Sequence, residues 1–362
     1  MGLSFRKKLN KSISLPIIFS SILLVMSCEE TLNLSMPEHS PMITLNCILN
    51  ENEPIQLELT SSQPYPPLID STLTIKNATV KLFEDGVYID DLLYIESYQR
   101  RYELGNHLTL IRNYQTLNGF CPETDHTYSI LVSAPNFPEV SAETFIPESV
   151  PIISIDTSTI YTQVGQNLVK VLECTILFYD PPENRNFYLF SISRRGLLYE
   201  SPLVFGNSGT SYVNYTVPFL CDDLNAIYYK FPVSSWGFPI PGVENEEIML
   251  YKIFLSDDSF NGMSFSLKVL IDYGYLCDLA YPPVPGEKFT FRKINFRLSS
   301  INEAYYKYAQ SNYVQVYKRD DIFSEPVLVY NNIKNGVGIF TGTSVSIDSS
   351  IFLPIYYPPY FK

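Results

Sequence analysis

Ile55-Gln56-Leu57-Glu58-Leu59-Thr60 alternates without a break, with Ile55, Leu57 and Leu59 on one side and Gln56, Glu58 and Thr60 on the other. Successive side chains of a strand point to opposite faces, so this stretch reads as a strand with one face buried. Downstream, Gln63-Pro64-Tyr65-Pro66-Pro67 must be loop, because proline brings no donor to a sheet. Ala78-Thr79-Val80-Lys81-Leu82-Phe83 reads as the next strand. Asp85-Gly86 supplies the two-residue turn into Val87-Tyr88-Ile89, and the pair predicts a hairpin. Tyr128, Ile130 and Val132 mark a further strand that Ala134-Pro135 ends.

Short strands and turns at this spacing predict an immunoglobulin-like β-sandwich over residues 41–149. Pro147 and Pro151 bracket the expected boundary, beyond which residues 150–362 predict a larger β-rich domain, sandwich or barrel-like. There, Leu168 to Tyr179 and Phe187 to Ser193 read as paired strands joined by Asp180-Pro181-Pro182-Glu183-Asn184. Residues 200–245 are rich in Gly, Ser, Pro and Asn and are expected to be long loops. Glu247 to Leu255 and Met263 to Asp272 read as strands on either side of Ser256–Gly262, and Phe289 to Ser299 as another. Val327-Leu328-Val329-Tyr330, an Asn- and Gly-rich turn, and Gly338-Ile339-Phe340-Thr341 follow near the end.

One helix stands out, near 301–317. Ser300-Ile301-Asn302-Glu303 fits a capping box, and Ile301, Tyr305, Tyr308, Asn312 and Val316 recur at helical spacing. Such a stripe packs on a sheet. The fold class is therefore all-β, mainly antiparallel, with one short packed helix. No internal repeat is visible.

The start of the chain has a different character. Arg6, Lys7, Lys8 and Lys11 precede an apolar run from Ile13 to Met26, and no acidic residue comes before Glu29. This is the layout of a secretion signal, and the run is short for a bilayer span. It ends in Val25-Met26-Ser27-Cys28, which resembles the bacterial lipobox. Residues 1–27 are expected to be removed and Cys28 to carry diacylglycerol and an N-acyl chain such as palmitate. An ordinary signal with a cysteine by chance is the plainer alternative. Glu29-Glu30 and the polar stretch Thr31 to Ser40 read as a tether over 28–40. The acidic pair also resembles the surface-export signal of Bacteroidetes lipoproteins.

Formal charge is -13 over 362 residues, and the leader holds four bases and no acids, so the remaining 335 residues carry -17. Such a surface repels phosphates and anionic lipid, which excludes nucleic acid and leaves the lipid anchor as the only membrane contact. The 28 Tyr and 23 Phe suit half-buried sheet faces, and 26 Pro punctuate them. Five cysteines remain after Cys28, an odd number. Cys174 and Cys47 sit among alternating apolar residues and read as core thiols. Cys221 and Cys277 lie in polar, turn-like settings and are the candidate disulfide.

Groups that carry chemistry are scarce. Only His39, His107 and His126 occur, with no His-Glu-x-x-His, paired Cys-x-x-Cys or Gly-x-Ser-x-Gly pattern. No metal, cofactor or catalytic residue is assigned, and a non-enzymatic protein is expected. Asp257-Asp258 with Asn261-Gly262 gathers hard oxygens but lacks the spacing of a calcium loop. A hairpin loop whose side chains cap backbone amides accounts for it better. Trp236, in Ser234-Ser235-Trp236-Gly237-Phe238-Pro239, leaves two readings open: a binding-loop residue that stacks on a sugar or partner, or a plug at a sandwich edge. Arg194-Arg195 reads as a solvated strand end.

Several stretches, in order, resemble one family. They are Ala78–Gly86, Tyr128–Ala134 with Ile146-Pro147, Phe178–Pro181 with Asn186-Phe187-Tyr188, and Ser256-Asp257 with Phe260-Asn261-Gly262. Ala304–Tyr308, then Phe323–Pro326 leading to Asn332–Phe340, complete the series. Together with the lipobox they resemble the Bacteroidetes lipoproteins grouped as domain of unknown function 4249. The resemblance implies an outer-membrane, surface-facing lipoprotein encoded beside a TonB-dependent receptor, and it supplies no active-site residue. The expected role is an accessory of that receptor that binds it, a nutrient or glycan, or both. A surface adhesin or structural module is the alternative.

Overall fold

The alternation at Ile55–Thr60 recurs over residues 43–50, 79–84, 127–133 and 140–145 in a computed structural model. The structure describes residues 40–63, 73–101, 107–164, 167–200, 209–221, 226–232, 248–273, 291–318, 325, 327–349 and 352–354. The first strands are β1 (Ile43–Asn50), β2 (Gln56–Ser61), β3 (Thr79–Glu84), β4 (Val87–Arg101), β5 (His107–Gln115), β6 (Thr127–Ser133) and β7 (Val140–Phe145). Then come β8 (Ile152–Val164), β9 (Asn167–Tyr179), β10 (Phe187–Glu200), β11 (Gly209–Thr216), β12 (Ala226–Pro232), β13 (Ile248–Ser256) and β14 (Ser264–Asp272). β15 (Phe291–Ile301), α1 (Glu303–Lys318), β16 (Val337–Asp348) and β17 (Phe352–Pro354) complete the order. The fold is all-β and mainly antiparallel with one helix, and the described strands close no barrel.

Twelve strands follow one path, β12-β13-β10-β15-β16-β1-β2-β5-β4-β3-β6-β7, with β11 and β17 branching from it; β14-β9-β8 form a second sheet. Two large apolar clusters follow, with a smaller third of Phe187, Leu189, Phe254, Ile301 and Ala309 where α1 packs. Leu45, Leu57, Val80, Tyr114, Tyr128 and Ile130 belong to one of the large clusters, and Cys174, Phe178, Phe190, Phe219, Val269 and Phe296 to the other. Cys47 and Cys174 are core thiols, and burial raises both, to about 12. Residues 146–151, where the two predicted domains meet, carry no strand. Contacts gather Pro41–Lys362 into one compact unit. β16 runs between the clusters: Val337 to Thr343 pair with β1, and Thr343 to Asp348 pair with β15. The β1–β16 ladder is the only parallel one among the described strands.

The Asp85-Gly86 hairpin forms as its residues predict, with φ of 49° and 79°. Asp85 also binds the Thr127 amide, and its other oxygen lies 2.7 Å from His126 Nδ1. That contact raises the His126 pKa and lowers that of Asp85.

Four expectations about the strands and the helix differ from the structure. β9 and β10 are both strands but do not pair: β9 lies between β8 and β14, and β10 between β13 and β15. The stretch 200–245, expected to be loops, contains β11 and β12, which extend the β10 and β13 edges. Arg194-Arg195 sit inside β10, where Arg194 faces Ile294, and not at its end. Ser300 is no helix cap, because β15 continues through Ile301 and the Ser300 hydroxyl accepts the Val150 amide. Asn302 caps α1 instead, its side-chain oxygen taking the Tyr305 amide at 3.1 Å.

Candidate functional site

Two loops cross between the sheets side by side. One, residues 180–186, leaves β9 for β10; the other, residues 257–263, leaves β13 for β14. Each carries a buried carboxylate that holds backbone of the opposite loop. Asp180, wholly buried, accepts the Tyr188 hydroxyl on Oδ1 and the Gly262 amide at 3.0 Å on Oδ2. Asp257, 1% exposed, accepts the Asn186 amide at 2.6 Å on Oδ2, and its own amide returns to the Asn186 carbonyl at 3.1 Å. The Asn186 side chain donates to the Pro181 and Asn184 carbonyls and so shapes its own loop. Gly262 has φ of 71°, which glycine adopts without strain, and a Cβ there would meet the Pro182 side chain at 2.9 Å. Beneath, Phe178, Tyr188, Phe260 and Phe265 pack ring on ring, with Phe260 and Phe265 centroids 4.0 Å apart.

The rim is charged and open to solvent. Arg185 donates to Asp258 at 2.7 Å, reaches Glu303 at 3.9 Å and lies over the Phe187 ring. Glu303 also meets Lys307 one turn further along α1. The rim thus ties both loops to the start of α1. These exposed pairs contribute little stability each, so the buried carboxylates do most of the holding.

Burial pushes Tyr188 far above its usual range, and the Asp180 carboxylate beside it adds to this. Burial likewise raises Asp257, against the Asn186 amide, while the Asp180 and Asp258 charges push the same way. Arg185 holds Asp258 below the ordinary range. Asp257 Oδ1 is buried with no hydrogen-bond partner among the described residues. A charge left so is costly, and raising the pKa is how the protein relieves it.

The sign of that shift makes a prediction. An acid whose folded pKa lies above its unfolded value stabilises the fold fully below the unfolded value, near 3.8, and loses that stability as pH rises through the folded value. Asp257→Asn has no charge to bury and keeps an acceptor for the Asn186 amide. Urea midpoints of the variant and the parent, measured from pH 3 upward, should therefore diverge in the variant's favour as pH rises. A difference that stays flat with pH would rule out this account of Asp257.

No set of three or more His, Cys, Asp and Glu residues suited to a metal occurs among the described residues. Asp180 is closed to any ligand from solvent, and Tyr188 points inward to it. What the arrangement can do is fix two crossing loops and present the Arg185, Asp258 and Glu303 rim. Asp257 caps a backbone amide, that of Asn186 in the opposite loop, and the Asp257–Gly262 turn crosses between sheets and is not a hairpin.

The other predicted residues fall elsewhere. Cys28, Trp236 and Cys277 lie outside the described residues. Cys221 does not sit in a polar turn: it is 8% exposed and packs in the second cluster, carried there by the paired Leu220 and Leu270 backbones. Sequence reading singled out the stretches around Asp180, Tyr188 and Asp257 separately. Nothing in their spacing marks that they meet.

The family model described as Domain of unknown function (DUF4249) matches residues 29–348. No curated protein matches the chain.

Proposed function

The chain belongs to the DUF4249 family, and from that premise we propose that it is an outer-membrane lipoprotein, anchored at Cys28 and facing outward, that serves a TonB-dependent transporter without being an enzyme. The observation that carries the anchor is where the family match begins. It starts at residue 29, one residue past the lipobox cysteine, so the cationic and apolar leader stands apart from the family domain. A chain cut before Cys28 would keep the whole matched region, whose first residues, Glu29 to Ser40, are the polar tether a lipid-held protein needs.

The transporter role draws on the lipoprotein resemblance and on the use the described polar residues are put to. Both buried carboxylates serve backbone amides, which suits a rigid binding body and offers no nucleophile or general acid to a substrate. The ligand class is a nutrient or glycan handed to the transporter.

Two experiments test this. Cys28→Ala should move the protein from the membrane pellet to the soluble fraction without changing its circular dichroism. A variant that still sediments with membrane would defeat the anchor reading. The transporter reading is tested by affinity purification of the full chain from mildly solubilised outer membrane. A TonB-dependent receptor should come with it at near-stoichiometric amount, and its absence would count against the proposal.

A further inference from the structure

Among the described strands, β12, β7, β11 and β17 have an unpaired side in the long sheet, and β14 and β8 in the short one. An open edge offers a row of unpaired amides and carbonyls to any passing strand, and proteins blunt such edges with charge, proline, bulges or cover. β17 is three residues long and ends in Pro354, β11 is open but eight residues long, and β12, β7 and β14 are blunted. β12 has a register shift between Tyr228 and Lys230 and ends in Pro232. β7 is six residues long, and Ser141 is bridged by Lys334 on both its amide and its carbonyl. β14 carries Lys268, and Leu270 is bridged in the same way by Leu220.

β8 has none of these devices over most of its length. It is 13 residues long, with Asp156 its one charge and neither lysine nor proline. Its first residue is tied to β16 through the Ser346 hydroxyl, and its one irregularity lies between Ile152 and Ser154. From Ser154 onward the ladder to β9 is regular, and no described residue pairs with the other side. Asp156, Thr157, Ser158, Thr159 and Tyr161 are exposed, Tyr161 by 65%. On the face shared with Tyr161, the Thr159 hydroxyl meets the Tyr273 hydroxyl at 2.7 Å, and Lys170 stands 4.5 Å above the Tyr273 ring. Tyr273 follows β14 at the far side of this sheet, so the exposed ring at the β8 edge is Tyr161 itself.

We propose that β8 is a docking edge on which an extended segment of a partner polypeptide, neutral or basic in charge, adds as a fourth strand. Backbone pairing supplies the affinity, and an apolar side chain of the guest lies on Tyr161. The charge balance selects the guest. A second copy of a chain with formal charge -13 meets long-range repulsion, whereas a neutral or basic segment meets none. This inference is independent of the anchor and of the transporter.

The test uses the full chain and a short synthetic peptide of alternating valine and threonine with lysine at both ends. Hydrogen exchange by NMR should show the peptide slowing alternate β8 amides between Ser154 and Thr162. Its affinity should drop at least tenfold in a Ser158→Lys, Tyr161→Lys double variant. The same peptide with glutamate in place of lysine should bind more weakly by a similar factor. The proposal is overturned if β8 amides are not slowed, if the double variant binds as well, or if slowing falls on β7, β11 or β12. Protection of β8 that grows with protein concentration and needs no peptide would also overturn it, since the guest would then be a second copy.

Discussion

Gly338→Ala is expected to cost about 3 kcal/mol or more, the sum of roughly 1–3 kcal/mol of backbone strain and the loss of part of a ladder. Gly338 has φ of 120°, where a side chain is strained whatever the space. There is also no space, because a Cβ on it would stand 2.0 Å from the Leu45 carbonyl oxygen. Leu45 is the residue Gly338 faces in the parallel β1–β16 ladder, so β16 lies this close to β1 only because position 338 carries no side chain. The variant must either part the two strands or twist the peptide. Each damages the join through which β16 links β1 to β15.

Gly119→Ala is the matched control. Its φ is 78°, but a Cβ there meets nothing within 4 Å, so only the strain remains, on the order of 1 kcal/mol. Gly342→Ala provides the opposite control, with a Cβ 2.3 Å from the Phe145 carbonyl and no unusual φ. Denaturant midpoints of the three should rank Gly119→Ala as mildest. If Gly338→Ala unfolds at the midpoint of Gly119→Ala, the close approach of β16 to β1 does not govern the join.

The same residues explain what could be read from sequence. Alternation at Ile55–Thr60 and Tyr128–Val132 gives the buried faces of β2 and β6, because a face depends only on the chain's own period. Partners depend on residues far away. β9 and β10 look like a pair because a short connection joins them, yet Asp180 and Asn186 lock that connection to the 257–263 loop and send β10 to the other sheet. The parallel β1–β16 ladder, with partners almost 300 positions apart, leaves no local mark except Gly338.

The family-like stretch Asn332–Phe340 was legible as a turn, and the structure supplies its reason. The Asn332 side chain binds both the amide and the carbonyl of Phe340, while Asn331 holds the Ile333 amide and the Gly336 carbonyl. The stretch sets the entry of β16. The 257–263 loop is a parallel case: amide capping is what its residues lead one to expect, and Asp257 does cap an amide, but that of Asn186 in the opposite loop.

Asn302→Ala should be the second severe change, at about 3 kcal/mol, from a lost helix cap of ~1 kcal/mol and buried polar groups left unpaired at ~1–3 kcal/mol each. Asn302 is 5% exposed and joins three elements with one amide. Its nitrogen donates to the Thr144 hydroxyl on β7 at 2.7 Å, and its oxygen accepts the Thr341 hydroxyl on β16 at 2.6 Å and the Tyr305 amide of α1. Serine in its place can still cap the helix but cannot reach both threonines, so Asn302→Ser should recover the cap and little else. Hydrogen exchange separates these contributions. In Asn302→Ala the first turn of α1 and the β7 amides near Thr144 should both exchange faster, whereas Asn302→Ser should speed only the latter. If the alanine variant loosens α1 alone, the amide is an ordinary cap and the tie between β7 and β16 is carried by Gly342, which lies against the Phe145 carbonyl.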